Sequence, residues 1–168
     1  WYDEQYNNRA RVPQCVWHLQ RWAQWSAQTR AEHSAKLDVS YGPSSKQNLD
    51  IFESPHPMAP VVVFIHGGYW RALSADECCM WASDALDLGY SFASINYTLA
   101  PTATLDRIVA QCRMAMDWIN EGSGLQPVRT IVSGSSAGGH LAAMVSTARP
   151  TPHAIDGAIL LSGVFDLR

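Results

Sequence analysis

The chain has 168 residues, 47% of them apolar and 16% charged, with 12 basic and 15 acidic side chains and a net charge of −3. It is long enough to bury one sizeable core and too apolar to be disordered. Its weak, scattered charge gives no support to a nucleic-acid or anionic-membrane partner. The longest clean apolar run, Val61–Ile65, is far too short to span a bilayer. No basic-then-apolar leader opens the chain, so the expected location is the cytoplasm.

Pro13 suits a helix start. Val16, Leu19, Ala23 and Ala27 then recur at helical spacing, which predicts a helix over 12–33. Trp17, Trp22 and Trp25 lie among them and are expected to pack against the main body, or else to cover a substrate pocket. Residues 1–34 are read as an N-terminal helical segment and 35–168 as the main domain. Lys36–Tyr41 alternates like a strand, Gly42-Pro43-Ser44-Ser45 turns, and Asn48–Glu53 returns, so the two strands form a hairpin-like pair. Val61–His66 is a β-branched apolar run, the mark of a strand buried on both faces.

From there strands and helices alternate. Ser74 with Glu77 forms a capping-box pattern that predicts a helix over 74–88, closed by Gly89. Strands are expected over 90–97, 128–133 and 155–162, the last buried, and helices over 104–120 and 136–148. This order predicts an α/β architecture, a mostly parallel sheet with helices on both faces. Cys15, Cys78, Cys79 and Cys112 match no zinc spacing, and adjacent Cys78 and Cys79 are poorly placed for a mutual disulfide. They read as free, mostly buried thiols.

Two motifs carry chemistry. Gly134-Ser135-Ser136-Ala137-Gly138 sits between a strand and a helix, with Ser136 at the centre of G-x-S-x-G. A nucleophile held on so tight a turn needs glycines where strand and helix approach, and the helix N-terminus favours a developing anion beside it. His66-Gly67-Gly68-Tyr69-Trp70 ends the third strand. Backbone N–H groups of Gly67 and Gly68, with that of Ala137, could form an oxyanion hole. His66 is expected to fix this loop by hydrogen bonding. Tyr69 and Trp70 either belong to the core or wall a substrate pocket. Together the motifs point to a serine hydrolase of the α/β-hydrolase fold.

HGGYW followed by GSSAGGHL resembles the arylformamidase (kynurenine formamidase) branch of that superfamily, next to HGG-motif esterases of the hormone-sensitive-lipase type. The likeness extends over Tyr41-Gly42 to Phe52, Asn96–Pro101, Leu161–Arg168 and the opening Tyr6–Arg11. It implies Ser136 as nucleophile, Gly67, Gly68 and Ala137 as oxyanion hole, and N-formyl-L-kynurenine as substrate, cleaved to formate and kynurenine through an acyl-enzyme. Neither a metal nor an organic cofactor is needed for that chemistry. The partner it implies is a small-molecule substrate, and a homodimer is left open.

A serine nucleophile also needs a histidine base and an orienting acid, in the chain order Ser, Asp or Glu, His. His140 follows Ser136 by one helical turn and should flank the turn. His153 and Asp156 belong to the opposite end of the sheet, and Asp166 suits a structural role. The triad Asp and His are therefore expected outside this chain, beyond Arg168, where a domain of this kind would continue for on the order of 100 residues. A chain that begins at Trp1 and stops after an apolar run reads as part of a longer protein, inactive and marginally folded alone, with an exposed sheet edge. The alternatives are a carboxylesterase for short acyl or aryl esters and a non-catalytic binding protein of the same fold.

Overall fold

The computed structural model describes residues 7–147 and 155–167. Tyr6, Ala148, His153 and Arg168 lie outside them. Among the described residues, six strands form one sheet: β1 (Ala35–Ser40), β2 (Asn48–Phe52), β3 (Val61–Ile65), β4 (Ser91–Ile95), β5 (Thr130–Ser135) and β6 (Gly157–Leu161), in the order β1-β2-β4-β3-β5-β6. The β1–β2 hairpin is antiparallel and joins β4 antiparallel, whereas β4, β3, β5 and β6 run parallel. The helices are α1 (Asn8–Arg11), α2 (Cys15–Glu32), α3 (Trp81–Asp87), α4 (Leu105–Glu121) and α5 (Ala137–Ser146). None is long and apolar enough to cross a membrane.

The period of two along each strand divides the core between the two faces of the sheet. Val61, Val63 and Ile65 of β3 point with Ala93 and Ile95 of β4 toward α4 and α5, where Ile108, Cys112, Ile119 and Leu141 are fully buried. Phe64 and Phe92 point the other way, with Phe52, toward Cys78, Cys79, Ala82 and Ala85 around α3. Phe92 lies between two rings, 6.4 Å from each of Phe52 and Phe64. Helix α4 starts where its sequence signal stands, with the Thr104 hydroxyl accepting from the Arg107 N–H.

Three expectations need correction. The helix expected over 74–88 is broken into a 3-10 turn (Ala75–Glu77) and α3. The Ser74 hydroxyl donates to the Glu77 carboxylate and caps nothing; Asn96 Oδ1 accepts from the Ala75 N–H instead, at 2.7 Å. Ser26 Oγ of α2 accepts from the Met80 N–H at 3.1 Å, just before α3 begins. Long-range partners thus outcompete the local capping box.

The tryptophans of α2 do not all pack inward either: Trp17 is 58% and Trp25 45% exposed. The helix buries its polar residues Ser26 and Thr29. Thr29 and His33 hydrogen-bond Ser83 at 3.3 and 3.0 Å, and Arg30 reaches Asp50 and Asp76 at 3.5 and 3.6 Å. The face turned to the body is the one that can satisfy the polar groups around Ser83 and Asp50.

Finally, β6 is an edge strand with exposed residues, Ile159, Leu160 and Leu161 among them. Beyond α3 the sheet face is open as an apolar concavity of about 560 Å³ bordered by Val62, Ile131, Ile159 and Trp81. The apolar run is that of a covered strand, but nothing among the described residues covers it fully.

Replacing Phe92 by Ala should cost about 3 kcal/mol or more, because it empties the centre of the α3-side core. Urea unfolding of the wild type and the variant measures this; a loss below about 1 kcal/mol would mean that the aromatic cluster is not a main support of the sheet.

Candidate active site

β3 and β5 are parallel neighbours, with Ile65 opposite Gly134, so the loops leaving their C-terminal ends lie side by side. At the end of β5 the chain turns into α5 within a residue. A side chain on Gly134 would place its Cβ 2.2 Å from the Gly138 carbonyl oxygen, and one on Gly138 would stand 2.0 Å from that of Ile65. Only hydrogen fits at either position. Ser136 between them has φ 56° and ψ −120°, a conformation sparsely populated by residues with a Cβ. It is the N-cap residue of α5, yet its side chain makes no capping hydrogen bond, and it is exposed. Its own N–H donates to the Leu161 carbonyl at 2.8 Å, which fastens the turn to β6. The Ala137 N–H is the first of the helix and belongs to the group that has no intrahelical acceptor.

Gly67 stands directly opposite: a Cβ there would come within 3.4 Å of the Ser136 Cβ and 2.6 Å of the Ser135 carbonyl oxygen. The Gly67–Trp70 loop is held from beneath. His66 is buried at 1% exposure, its Nδ1 is 2.9 Å from the Gly67 carbonyl oxygen, and its ring stacks on Tyr97 at 4.3 Å. The Tyr97 hydroxyl donates to the His66 and Gly67 carbonyls at 2.9 and 3.3 Å. The Gly67 carbonyl can only accept, so His66 carries its proton on Nδ1. Burial lowers its pKa to about 4 and keeps it neutral near pH 7.

The cavity that Ser136 borders has a volume of about 220 Å³. Gly67, Gly68 and Ser135 border it too, and its apolar walls include Trp22 of α2 with Met80 and Trp81 around the start of α3. Neither Tyr69 nor Trp70 is among its walls. Tyr69 is exposed, while Trp70 packs edge-on against His140 at 5.4 Å and joins the core on the α4 side. Both residues and the neighbouring Leu73 have positive φ. No histidine and no carboxylate borders the cavity among the described residues.

His140 is buried on α5 against Trp70, with its pKa lowered by burial and its Nδ1 unpaired. It borders a separate, open concavity together with Asp166. Asp156 lies at the far end of the sheet, where its carboxylate accepts from the Thr130 N–H at 2.8 Å. His153 lies outside the described residues. The sequence therefore marked the Ser136 turn, the glycine loop and, as one of two readings, Trp22 as a pocket residue, but not Met80 or Trp81. One available signal for Trp22 was its place one helical turn before Ser26, on the stripe that continues through Thr29 and His33.

Cys78 borders the cavity but offers no ready thiolate. Cys78, Cys79 and Cys112 are buried free thiols, and burial pushes those of Cys78 and Cys79 up to about 12 and 11.

His66 sets a pH test. The unfolded chain takes up a proton at this ring below pH 6.5, and the folded chain resists doing so down to about pH 4. Its contribution to stability is therefore full above 6.5, falls as the pH drops through that window and levels off below it. The total is on the order of 3 kcal/mol. His66→Asn should flatten the loss of urea stability between neutrality and about pH 4; an unchanged slope would show that His66 does not resist protonation.

Known proteins place this geometry in a family. Residues 49–160 match BD-FAE. Kynurenine formamidase of Danio rerio is 32% identical over 158 residues, which is 90% of this chain and 53% of that protein. Esterase LipQ of Mycobacterium tuberculosis is 30% identical over 77% of this chain and 35% of its own length. The chain spans about half the length of the first curated relatives it matches. Among solved structures, a proposed thioesterase from Silicibacter sp. is 28% identical with a TM-score of 0.88, over 99% of this chain and 64% of that one. An esterase from Pyrobaculum calidifontis, 22% identical with a TM-score of 0.69 over 85% of this chain and 48% of that one, shares the fold. Sequence and topology agree that the chain belongs to the BD-FAE family and has the α/β-hydrolase fold.

Proposed function

We propose that the chain holds the nucleophile and oxyanion-binding half of a serine hydrolase that cleaves aryl formamides, with N-formylkynurenine as the leading substrate. The observation that carries the reading is Ser136 itself. It sits in a strained turn between β5 and α5, with a hydroxyl not spent on capping, beside a glycine loop and an apolar cavity. Strain of this kind persists where the surroundings over-determine it, and it clusters at active sites.

In this mechanism Ser136 Oγ attacks the formyl carbon while a base takes its proton. The carbonyl oxygen becomes an oxyanion facing the N–H groups of Ala137 and the Gly67–Gly68 loop. The C–N bond breaks, the amine leaves with the proton, and water then hydrolyses the formyl ester to formate. Among the described residues no histidine and no carboxylate borders the cavity, so in this proposal the base and its orienting carboxylate are not among those residues. Supplying preorganised backbone donors is typically the largest single contribution to such catalysis. The likeness to kynurenine formamidases over 90% of the chain favours the formamide over an ester. A carboxylesterase reading draws on the likeness to LipQ and uses the same tetrahedral intermediate.

In the full-length protein, Ser136→Ala should lower kcat by about 10⁴-fold or more on N-formylkynurenine and on p-nitrophenyl acetate alike. Retained turnover would refute the nucleophile. The ratio of kcat/KM for the two wild-type reactions separates formamidase from esterase. Gly67→Ala should lower kcat by about 10²-fold or more, because its Cβ collides with the Ser135 carbonyl and displaces the loop. Wild-type kinetics in that variant would remove the loop from the oxyanion hole.

A further inference from the structure

We infer that Trp22 of α2 is a specificity-determining residue: with Trp81 it forms the walls of a slot beside Ser136 that takes the planar aromatic part of an aryl substrate. The inference rests on the reading of Ser136 as nucleophile and adds to it the origin of aryl preference.

Three observations carry it. First, the cavity is small. At about 220 Å³ it falls below the roughly 300–1,000 Å³ of sites for drug-sized ligands, so it suits one ring or a short chain. Second, its side-chain chemistry is that of an aromatic slot. Two tryptophans and Met80 supply polarizable walls, and among the described residues no histidine, acid or base faces it. The one titratable group that borders it among the described residues, the Cys78 thiol, is held protonated by burial. A charged ligand finds no counter-ion there, whereas a neutral ring finds π faces and a thioether.

Third, the position of Trp22 follows from how α2 is held. The hydrogen bonds and ion pairs that fasten the helix run from Ser26 to His33: Ser26 with Met80, Thr29 and His33 with Ser83, and Arg30 with Asp50 and Asp76. Trp22 continues the same stripe one turn toward the N-terminus, past the last of these contacts, and reaches the cavity. Trp17 lies off the stripe and is exposed, and Trp25, at its flank, is exposed and borders a separate concavity with Thr29 and Ser83. Of the three tryptophans, the helix delivers to the cavity the one that its polar strap aims there.

The test uses the full-length protein and two acetates that share an acyl group but differ in the leaving group, phenyl acetate and vinyl acetate. Trp22→Ala should lower the phenyl-to-vinyl ratio of kcat/KM about tenfold, mainly through KM for phenyl acetate, in line with the strength of an aromatic contact. Trp22→Phe should keep most of the ratio. Trp22→Leu, which retains apolar bulk without a π face, should resemble the alanine variant and carries the test if that variant does not fold. An unchanged ratio in both Ala and Leu variants, or an equal loss on both substrates, would overturn the inference and leave Trp22 a packing residue. The ester pair keeps the outcomes separate. If N-formylkynurenine is not turned over, the formamide reading fails while the ratio still reports on the slot. If Ser136→Ala stays active, the nucleophile reading fails by itself.

Discussion

Backbone pressed against backbone at the end of β5 is the constraint on which the rest of the site depends. Gly138 lies so close to the carbonyls of Ile65 and His66 that no side chain fits between α5 and the end of β3. Gly134 lies equally close to Gly138. These approaches force the chain through its turn at Ser136, give that residue its positive φ and bring Ser135 and Ser136 against Gly67. The cost of the strained residue is of order 1–3 kcal/mol. It is offset by the parallel pairing of β3 with β5 and by the buried face of α5, where Leu141, Ala142 and Val145 pack into the core.

A second layer of support comes from polar groups away from the cavity. The Tyr97 hydroxyl and the His66 ring tie the Gly67 loop to the end of the sheet, and burial keeps the imidazole neutral so that it serves as a fixed donor. On the other face, α2 is fastened through Ser26, Thr29, Arg30 and His33 while much of its aromatic surface stays exposed. A helix held this way keeps its rotation fixed, since each hydrogen bond demands one angular setting. Asp50 illustrates the energetics: it is 1% exposed, its pKa is raised by burial, and the Asp38 N–H and Arg30 compensate its charge. Loss of Arg30 would leave that carboxylate buried without a counter-charge.

The sheet and the tight turn at Ser136 were legible in the sequence because they rest on local rules. The β-branched run at 61–65 and the alternation of strands and helices gave the parallel core, and Gly134, Ser136 and Gly138 marked a turn with no room for side chains. The Thr104 cap was readable for the same reason. What failed was decided by distant partners. The capping box at Ser74 lost to Asn96, which is 21 residues from Ala75, and to Ser26, which is 54 from Met80. Of the tryptophans of α2, Trp22 borders the cavity, as one of the two readings had it, but Trp17 and Trp25 are exposed because the body offers polar partners to that helix. The burial expected for β6 presumed a cover that the described residues do not supply. Tyr69 and Trp70 were read as core or pocket residues; Trp70 packs on the core, and the cavity walls combine nearby Phe64 and Leu73 with distant Trp22 and Leu161.

The account stands or falls on Ser136 as the acyl-carrying atom. The most direct measurement is to treat the full-length protein with a reactive aryl phosphonate and map the adduct by peptide mass spectrometry. The account predicts one covalent phosphonyl group on Ser136, formed in proportion to the loss of activity and prevented by Ser136→Ala. Full inactivation with the group on another residue, or activity that survives complete modification of Ser136, would contradict it.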